Sequence, residues 1–233
     1  MTNKTTKIYG KRILFLLWLF LFLFSCSDSA PPEPKTEKRQ SKETQLPSFR
    51  ILILGDSLTE GYGVLDSESY PSLLQNKLNN ELSPKTQLRY EVINGGISGA
   101  TTSGGVARIQ WFLQSKPNYL ILALGANDGL RGITVREMKK NLGLILDSAK
   151  NNGIPSMLAG MKTPPNYGPE YSLSFSKVFE ELSHEREVPL IPFLLEGVGG
   201  NPKMNLPDQI HPNPLGHQTL CRTVFLSLVN HLN

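Results

Sequence analysis

This chain is poor in cysteine, in net charge and in long apolar runs, and each shortage narrows what it can be. Its only cysteines are Cys26 and Cys221, which rules out a disulfide-rich scaffold. The 24 Lys and Arg exceed the 20 Asp and Glu by four, a formal charge of +4. Lys4, Lys7, Lys11 and Arg12 supply that excess, so the remainder of the chain is balanced. It therefore lacks the electrostatic footprint of a nucleic-acid partner. No low-complexity tract is visible, nor any repeat with a period of about 20 to 50 residues. The longest apolar run, Ile13 to Phe24, falls short of the about 20 residues that cross a hydrocarbon core. What remains is 233 residues with 39% hydrophobic side chains, enough for one domain of ordinary size plus extensions.

The basic start followed by that apolar run reads as a secretory signal over residues 1–25, not as a spanning helix. The run ends in Leu23-Phe24-Ser25-Cys26, which resembles a bacterial lipobox, where a small residue precedes a cysteine that is lipidated and becomes the new amino terminus. Phe24 is bulkier than the residue usual at its position, and ordinary signal cleavage is the alternative. A lipid on Cys26 leaves Cys221 without a disulfide partner, and Cys221 falls in an apolar helical pattern, as a small buried hydrophobe would. Residues 26–48 carry Pro31, Pro32, Pro34 and Pro47 amid mixed charges and have almost nothing to bury, so they read as a tether spanning roughly 25 Å. The expected location is exported and lipid-anchored in the bacterial envelope.

From residue 49 to 233, short β-branched or leucine-rich runs alternate with longer segments of helical period. That is the pattern of a parallel sheet covered on both faces. The runs predict five strands, at residues 50–54, 88–93, 119–124, 154–158 and 190–193. The periodic segments predict helices over 70–82, 103–114, 134–151, 172–186 and 215–232. The fold class is therefore α/β, a doubly wound domain on a five-stranded parallel sheet.

In such sheets the functional crevice lies beyond the carboxyl ends of the strands. The residues there are Gly55-Asp56-Ser57-Leu58, then Asn94-Gly95-Gly96-Ile97-Ser98-Gly99, then Gly125-Ala126-Asn127-Asp128, and finally the loop holding Asp208-Gln209-Ile210-His211. A serine hydroxyl is a poor nucleophile and needs a base, which a third group must orient. Ser57 on a strand-to-helix turn, His211 as base and Asp208 three residues before it satisfy that logic. Pro212 helps to keep His211 out of helical geometry. Acyl transfer also needs donors for the developing oxyanion, available from the Gly99 N–H, the Asn127 amide and the Ser57 N–H.

Each of these residues has a plain structural reading by itself. Ser57 or Asp56 could cap a helix, Gly99 could serve a turn, Asn127-Asp128 could be a turn or cap, and Asp208 and His211 could be a surface pair. Their joint placement at successive strand ends is what points to a site. Among the other histidines, His184 falls on a solvent face, His231 lies at the chain end, and His217 has Pro214 where a carboxylate would stand.

On these residues the chain resembles the SGNH or GDSL hydrolase superfamily. The four blocks are Gly55-Asp56-Ser57-Leu58, Gly99 in Ile97-Ser98-Gly99, Asn127 in Gly125-Ala126-Asn127-Asp128, and Asp208-Gln209-Ile210-His211-Pro212. Gly125 to Gly132 and Pro165-Asn166-Tyr167-Gly168 are similar to the bacterial thioesterase I, lysophospholipase and arylesterase branch. One departure is Ala100, where the branch commonly has an acidic residue. The resemblance implies a flavodoxin-like three-layer α/β/α fold, with Ser57 as nucleophile, His211 as base, Asp208 as its orienter, and Ser57, Gly99 and Asn127 as the oxyanion hole. It implies hydrolysis of acyl esters, thioesters, lysophospholipids and aryl esters, without metal or organic cofactor. Leu130, Ile133, Met161 and Tyr167 are then expected to line the acyl pocket. Two rivals are a carbohydrate acetyl esterase on the same scaffold and a surface lipoprotein that only binds. The expected partners are a small-molecule or lipid substrate and, through Cys26, a membrane.

Overall fold

The computed structural model describes residues 46–232. The expected signal segment, Cys26 and most of the expected tether lie outside the described residues. Five strands form one parallel sheet in the order β2-β1-β3-β4-β5. They are β1 (Ser48–Gly55), β2 (Arg89–Gly96), β3 (Tyr119–Ala123), β4 (Ser156–Ala159) and β5 (Leu190–Ile191). Around them in chain order run α1 (Ser57–Glu60), α2 (Tyr70–Glu81), α3 (Ser83–Thr86), α4 (Thr102–Leu113), α5 (Ala126–Leu130), α6 (Val135–Asn151), α7 (Pro169–Arg186) and α8 (Pro214–Leu228).

The central strands are unbroken apolar runs because both of their faces are covered. Ile51 to Leu54 in β1 and Leu120 to Leu122 in β3 are fully buried, with Leu52 opposite Leu120 and Leu54 opposite Leu122. One helical layer packs α2 against α8, and the other packs α6 against both α4 and α7. In α6, Met138, Leu142, Ile145, Leu146 and Ala149 are buried, the spacing of three and four that puts one helical stripe on a sheet. Its start is fixed by Thr134, whose hydroxyl accepts from the Glu137 N–H at 3.2 Å; α8 starts in the same way, with Asn213 accepting from the Gly216 N–H at 3.1 Å and Pro214 in its first turn.

All five expected strands and five expected long helices are present, with shifted ends. β1 begins at Ser48, and β4 begins at Ser156, since Pro155 has no N–H to give a ladder. The last helix stops at Leu228 and continues only as a 3-10 turn over Val229–His231. Because β2 and β3 flank β1 on opposite sides, the chain leaves the first strand in one direction and later returns in the other. The topological switch point, where such sheets open a crevice, therefore falls at the carboxyl ends of β1 and β3. Gly96 at the end of β2 lets α1 approach the sheet there: a Cβ on Gly96 would come within 2.1 Å of the Glu60 nitrogen.

Candidate active site

Ser57 is the first residue of α1 and only 8% exposed. The preceding Asp56 caps this one-turn helix, its side chain accepting from the Leu58 N–H at 3.0 Å. At the first turn the Ser57 N–H has no intrahelical acceptor, so it is available to a ligand. The hydroxyl meets His211, whose Nε2 lies 3.1 Å from Ser57 Oγ across 154 residues of sequence. On the other side of the ring, His211 Nδ1 lies 2.7 Å from Asp208 Oδ2.

The geometry of Asp208 is local. Its Oδ1 accepts from the backbone N–H groups of Ile210 at 2.9 Å and His211 at 3.0 Å, while Gln209 takes the left-handed conformation at φ 60. This tight turn turns the carboxylate back onto the ring of His211. The backbone N–H of His211, then the His211 ring and the Ile210 N–H, hold the Asp208 carboxyl down to about 2. An ionised Asp208 accepts from Nδ1–H, which leaves Nε2 of the neutral ring as the acceptor for the Ser57 hydroxyl.

The loop from Pro192 to Asn213 is stapled so that this turn stays in place. Asn205 Nδ2 donates to the carbonyls of Val198 at 2.8 Å and Asn201 at 2.9 Å, Asn213 Nδ2 donates to Lys203 O at 3.0 Å, and the Leu206 N–H donates to His211 O at 2.7 Å. Over the imidazole lies Tyr62, with ring centroids 4.4 Å apart and the phenol 51% exposed. Nothing in the sequence marks Tyr62, because it reaches His211 only after the chain has folded.

Gly99 follows the carboxyl end of β2, and Asn127 follows that of β3. Gly99 has φ 74, a conformation that favours glycine, and its N–H has no protein acceptor among the described residues. Asn127 lies in α5, where its neighbour Asp128 is buried and accepts from the Thr102 N–H at 2.9 Å and from Thr102 Oγ1 at 2.5 Å. Those bonds tie α5 to the start of α4. Asn127 Nδ2 lies 3.5 Å from Asp56 Oδ2, a weak contact that turns the amide toward the nucleophile's end of the crevice. Burial, partly countered by the Leu58 N–H and by the charges of His211 and Arg108, pushes the Asp56 carboxyl up to about 6.

The expected acyl-pocket residues differ in burial. Leu130 is 42% exposed, Ile133 is half-buried, and Tyr167 donates its hydroxyl to Leu130 O at 3.3 Å, which places Tyr167 beside α5. Met161, just beyond β4, is 5% exposed and packs in the hydrophobic core. Ala100 also packs against the core, and the carboxylate serving its loop comes from Glu60, which accepts from the Ser98 N–H at 2.7 Å and from the Ser98 hydroxyl. His184 and His231 are exposed. His217 is buried with Nδ1 accepting from the Tyr70 N–H at 3.2 Å, so His211 alone among the histidines bonds Ser57.

The model of the GDSL-like lipase/acylhydrolase family matches residues 53–219, a span that begins inside β1 and ends in α8. The esterase TesA of Pseudomonas aeruginosa is 37% identical over 179 residues, covering 76% of this chain and 87% of that protein. A crystal structure of TesA superposes with a TM-score of 0.73 at 37% identity, covering 77% of this chain and 97% of that one. An arylesterase of Vibrio mimicus is 38% identical over 186 residues, 79% of this chain and 90% of that protein. The thioesterase 1/protease 1/lysophospholipase L1 of Escherichia coli is 38% identical over 164 residues, 70% of this chain and 75% of that protein. With its strand order, its switch-point serine and this extent of similarity, the chain belongs to the GDSL-like lipase/acylhydrolase family.

Proposed function

We propose that this chain hydrolyses carboxylic esters and thioesters through an acyl-enzyme on Ser57. The observation that carries the reading is the continuous chain Asp208–His211–Ser57, at 2.7 and 3.1 Å. Ser57 Oγ attacks the acyl carbonyl carbon as its proton passes to His211 Nε2. The carbonyl oxygen becomes an oxyanion facing the N–H groups of Ser57 and Gly99 and the Asn127 amide. Ionised Asp208 stabilises the imidazolium without taking its proton. The carbon–oxygen or carbon–sulfur bond then breaks, and the leaving alkoxide or thiolate takes the proton from Nε2. Water attacks the acyl-enzyme by the same route, His211 accepting its proton and returning it to Ser57 Oγ as the acid departs.

The substrate classes are acyl esters, aryl esters, lysophospholipids and acyl-CoA thioesters, a range supported by the names of the similar arylesterase and thioesterase/lysophospholipase. Leu130, Ile133, Met161 and Tyr167 supply the apolar wall for the acyl chain, Met161 as its most buried member. Residues 1–25 serve as a lipoprotein signal, Cys26 as the lipidated terminus, and residues 26–48 as the tether of a domain over 49–233 exported to the envelope. Among the described residues no helix is long and apolar enough to cross a membrane; in this reading the attachment is through Cys26. Loss of radiolabelled palmitate on Cys26→Ala checks it.

The central test is organophosphate labelling joined to turnover. Ser57→Ala is expected to abolish both the labelled adduct and hydrolysis of p-nitrophenyl esters, acyl-CoAs and lysophospholipids, with the thermal midpoint retained. Adduct formation that survives the substitution rejects Ser57 as nucleophile. Leu130→Ala is expected to move the preferred acyl chain length, and an unchanged chain-length profile removes Leu130 from the wall.

A further inference from the structure

We infer that Glu60 and Arg131 are positioning residues that hold the Gly99 N–H in its donor orientation, acting as a charged clamp on the two sides of one turn. This rests on the reading of Ser57, Gly99 and Asn127 as the oxyanion site of an ester hydrolase. The turn runs from Ile97 to Ala100, closed by the Ala100 N–H to Ile97 O at 3.0 Å. Gly99 sits at its third position with φ 74, which marks a type II turn. Types I and II differ chiefly by a flip of the central peptide, here the peptide joining Ser98 to Gly99. The N–H of that peptide is the oxyanion donor, so turn type decides whether the donor faces the crevice. Glycine tolerates either sign of φ, and the turn by itself would not hold one form.

Two contacts bracket the flipping peptide. On one side the Glu60 carboxylate accepts from the Ser98 N–H at 2.7 Å and from the Ser98 hydroxyl. On the other the Arg131 guanidinium donates through Nη2 to Gly99 O at 2.8 Å, close enough that a Cβ on Gly99 would meet Nη2 at 3.1 Å. Both are charge-assisted bonds, and together they leave the Gly99 N–H free. Glu60 ends α1, the helix that Ser57 begins. Arg131 is the C-cap of α5, which carries Asn127. The three donors are thereby registered to one another: α1 brings Ser57 and the carboxylate that fixes Gly99, and α5 brings Asn127 and the guanidinium that fixes Gly99 from the far side. Both clamp side chains are exposed, so their removal takes nothing from the core.

Kinetics of the full chain with p-nitrophenyl butyrate, and with a boronic acid that forms a tetrahedral adduct on serine, test the clamp. Glu60→Ala and Arg131→Ala are each expected to lower kcat by about 10- to 100-fold, less than the 10²- to 10³-fold of a donor removed outright. KM is expected to stay within about three-fold, as for an interaction made chiefly in the transition state. The thermal midpoint is expected to hold, and boronate affinity to fall in step with kcat/KM. Glu60→Gln keeps an acceptor and Arg131→Lys keeps a cation, so each is expected to recover turnover relative to its alanine counterpart. The double alanine variant is expected to lose less than the product of the single losses, because both contacts act on one peptide. Alanine variants that keep wild-type kcat overturn the proposal, as does a loss that appears only in KM or only in the thermal midpoint. Full turnover in Ser57→Ala would overturn the underlying hydrolase reading as well, which separates the two failures.

Discussion

Asp208 acts on its neighbour with both carboxylate oxygens. Oδ1 takes two backbone N–H groups and Oδ2 takes the imidazole, so one side chain sets the turn and the tautomer. Asp208→Asn separates these tasks. The asparagine carbonyl oxygen can still accept from Ile210 and His211, but its NH2 would face Nδ1 and favour the ring with its proton on Nε2, pointing at Ser57. The expected result is a fall in kcat of about 10²- to 10⁴-fold at neutral pH with an unchanged thermal midpoint. Wild-type turnover in this variant would remove Asp208 from the mechanism. That the three residues belong together was legible in the sequence, because a carboxylate three residues before a histidine is a local pattern and a serine after a buried run is another. Glu60, Arg131 and Asp56 were not legible as partners of the oxyanion donors. Their contacts to Ser98, Gly99 and Asn127 span 38, 32 and 71 residues, and no spacing rule reaches that far.

The elements foreseen are the ones long enough to display a period. α1 and α5 run for four and five residues, too short to show a stripe, yet they hold Ser57 and Asn127. Short helices at strand ends are set by caps and by what they pack against: Asp56 caps α1, and buried Asp128 anchors α5 on Thr102. The edge of the sheet was equally hidden. β2 has no strand beyond it, and an open edge of unpaired N–H and C=O groups invites pairing with another chain. Here α2 covers it with side chains. Asn79 accepts from the Tyr90 N–H at 2.9 Å and donates to Tyr90 O at 2.8 Å, and Gln75 accepts from the Val92 N–H at 2.9 Å. Asn79→Ala leaves both groups of Tyr90 unpaired and is expected to lower stability by about 1–3 kcal/mol, read from the urea midpoint, with esterase turnover per folded molecule unchanged. An unshifted midpoint would mean that solvent satisfies the edge as well as Asn79 does.

Across the whole domain, two buried ionisable groups act on stability in opposite directions as pH changes. Burial lifts Asp56 from its ordinary value to about 6, so between pH 4 and 6 the folded protein keeps a proton that the unfolded chain has released, and stability falls as pH rises through that window. His217 is 1% exposed, and burial, with a smaller push from His211 against the pull of Glu68, lowers it to about 4. Between pH 4 and 6.5 the unfolded chain takes a proton that the folded protein refuses, so this group makes stability rise with pH. Each contribution is on the order of 3 kcal/mol over its full window, and the two windows overlap, so they largely cancel. Asp56→Asn retains an acceptor for the Leu58 N–H, and His217→Asn places an oxygen where Nδ1 accepts from the Tyr70 N–H, so each removes a titration without removing its hydrogen bond. Urea denaturation between pH 4.5 and 6.5 is expected to give Asp56→Asn a steeper rise of stability with pH than the wild type, and His217→Asn a fall relative to it. The two profiles should diverge by several kcal/mol in total. Variants that track the wild-type profile would show that both groups titrate alike in the folded and unfolded chains, and that the burial of Asp56 and His217 carries no charge penalty.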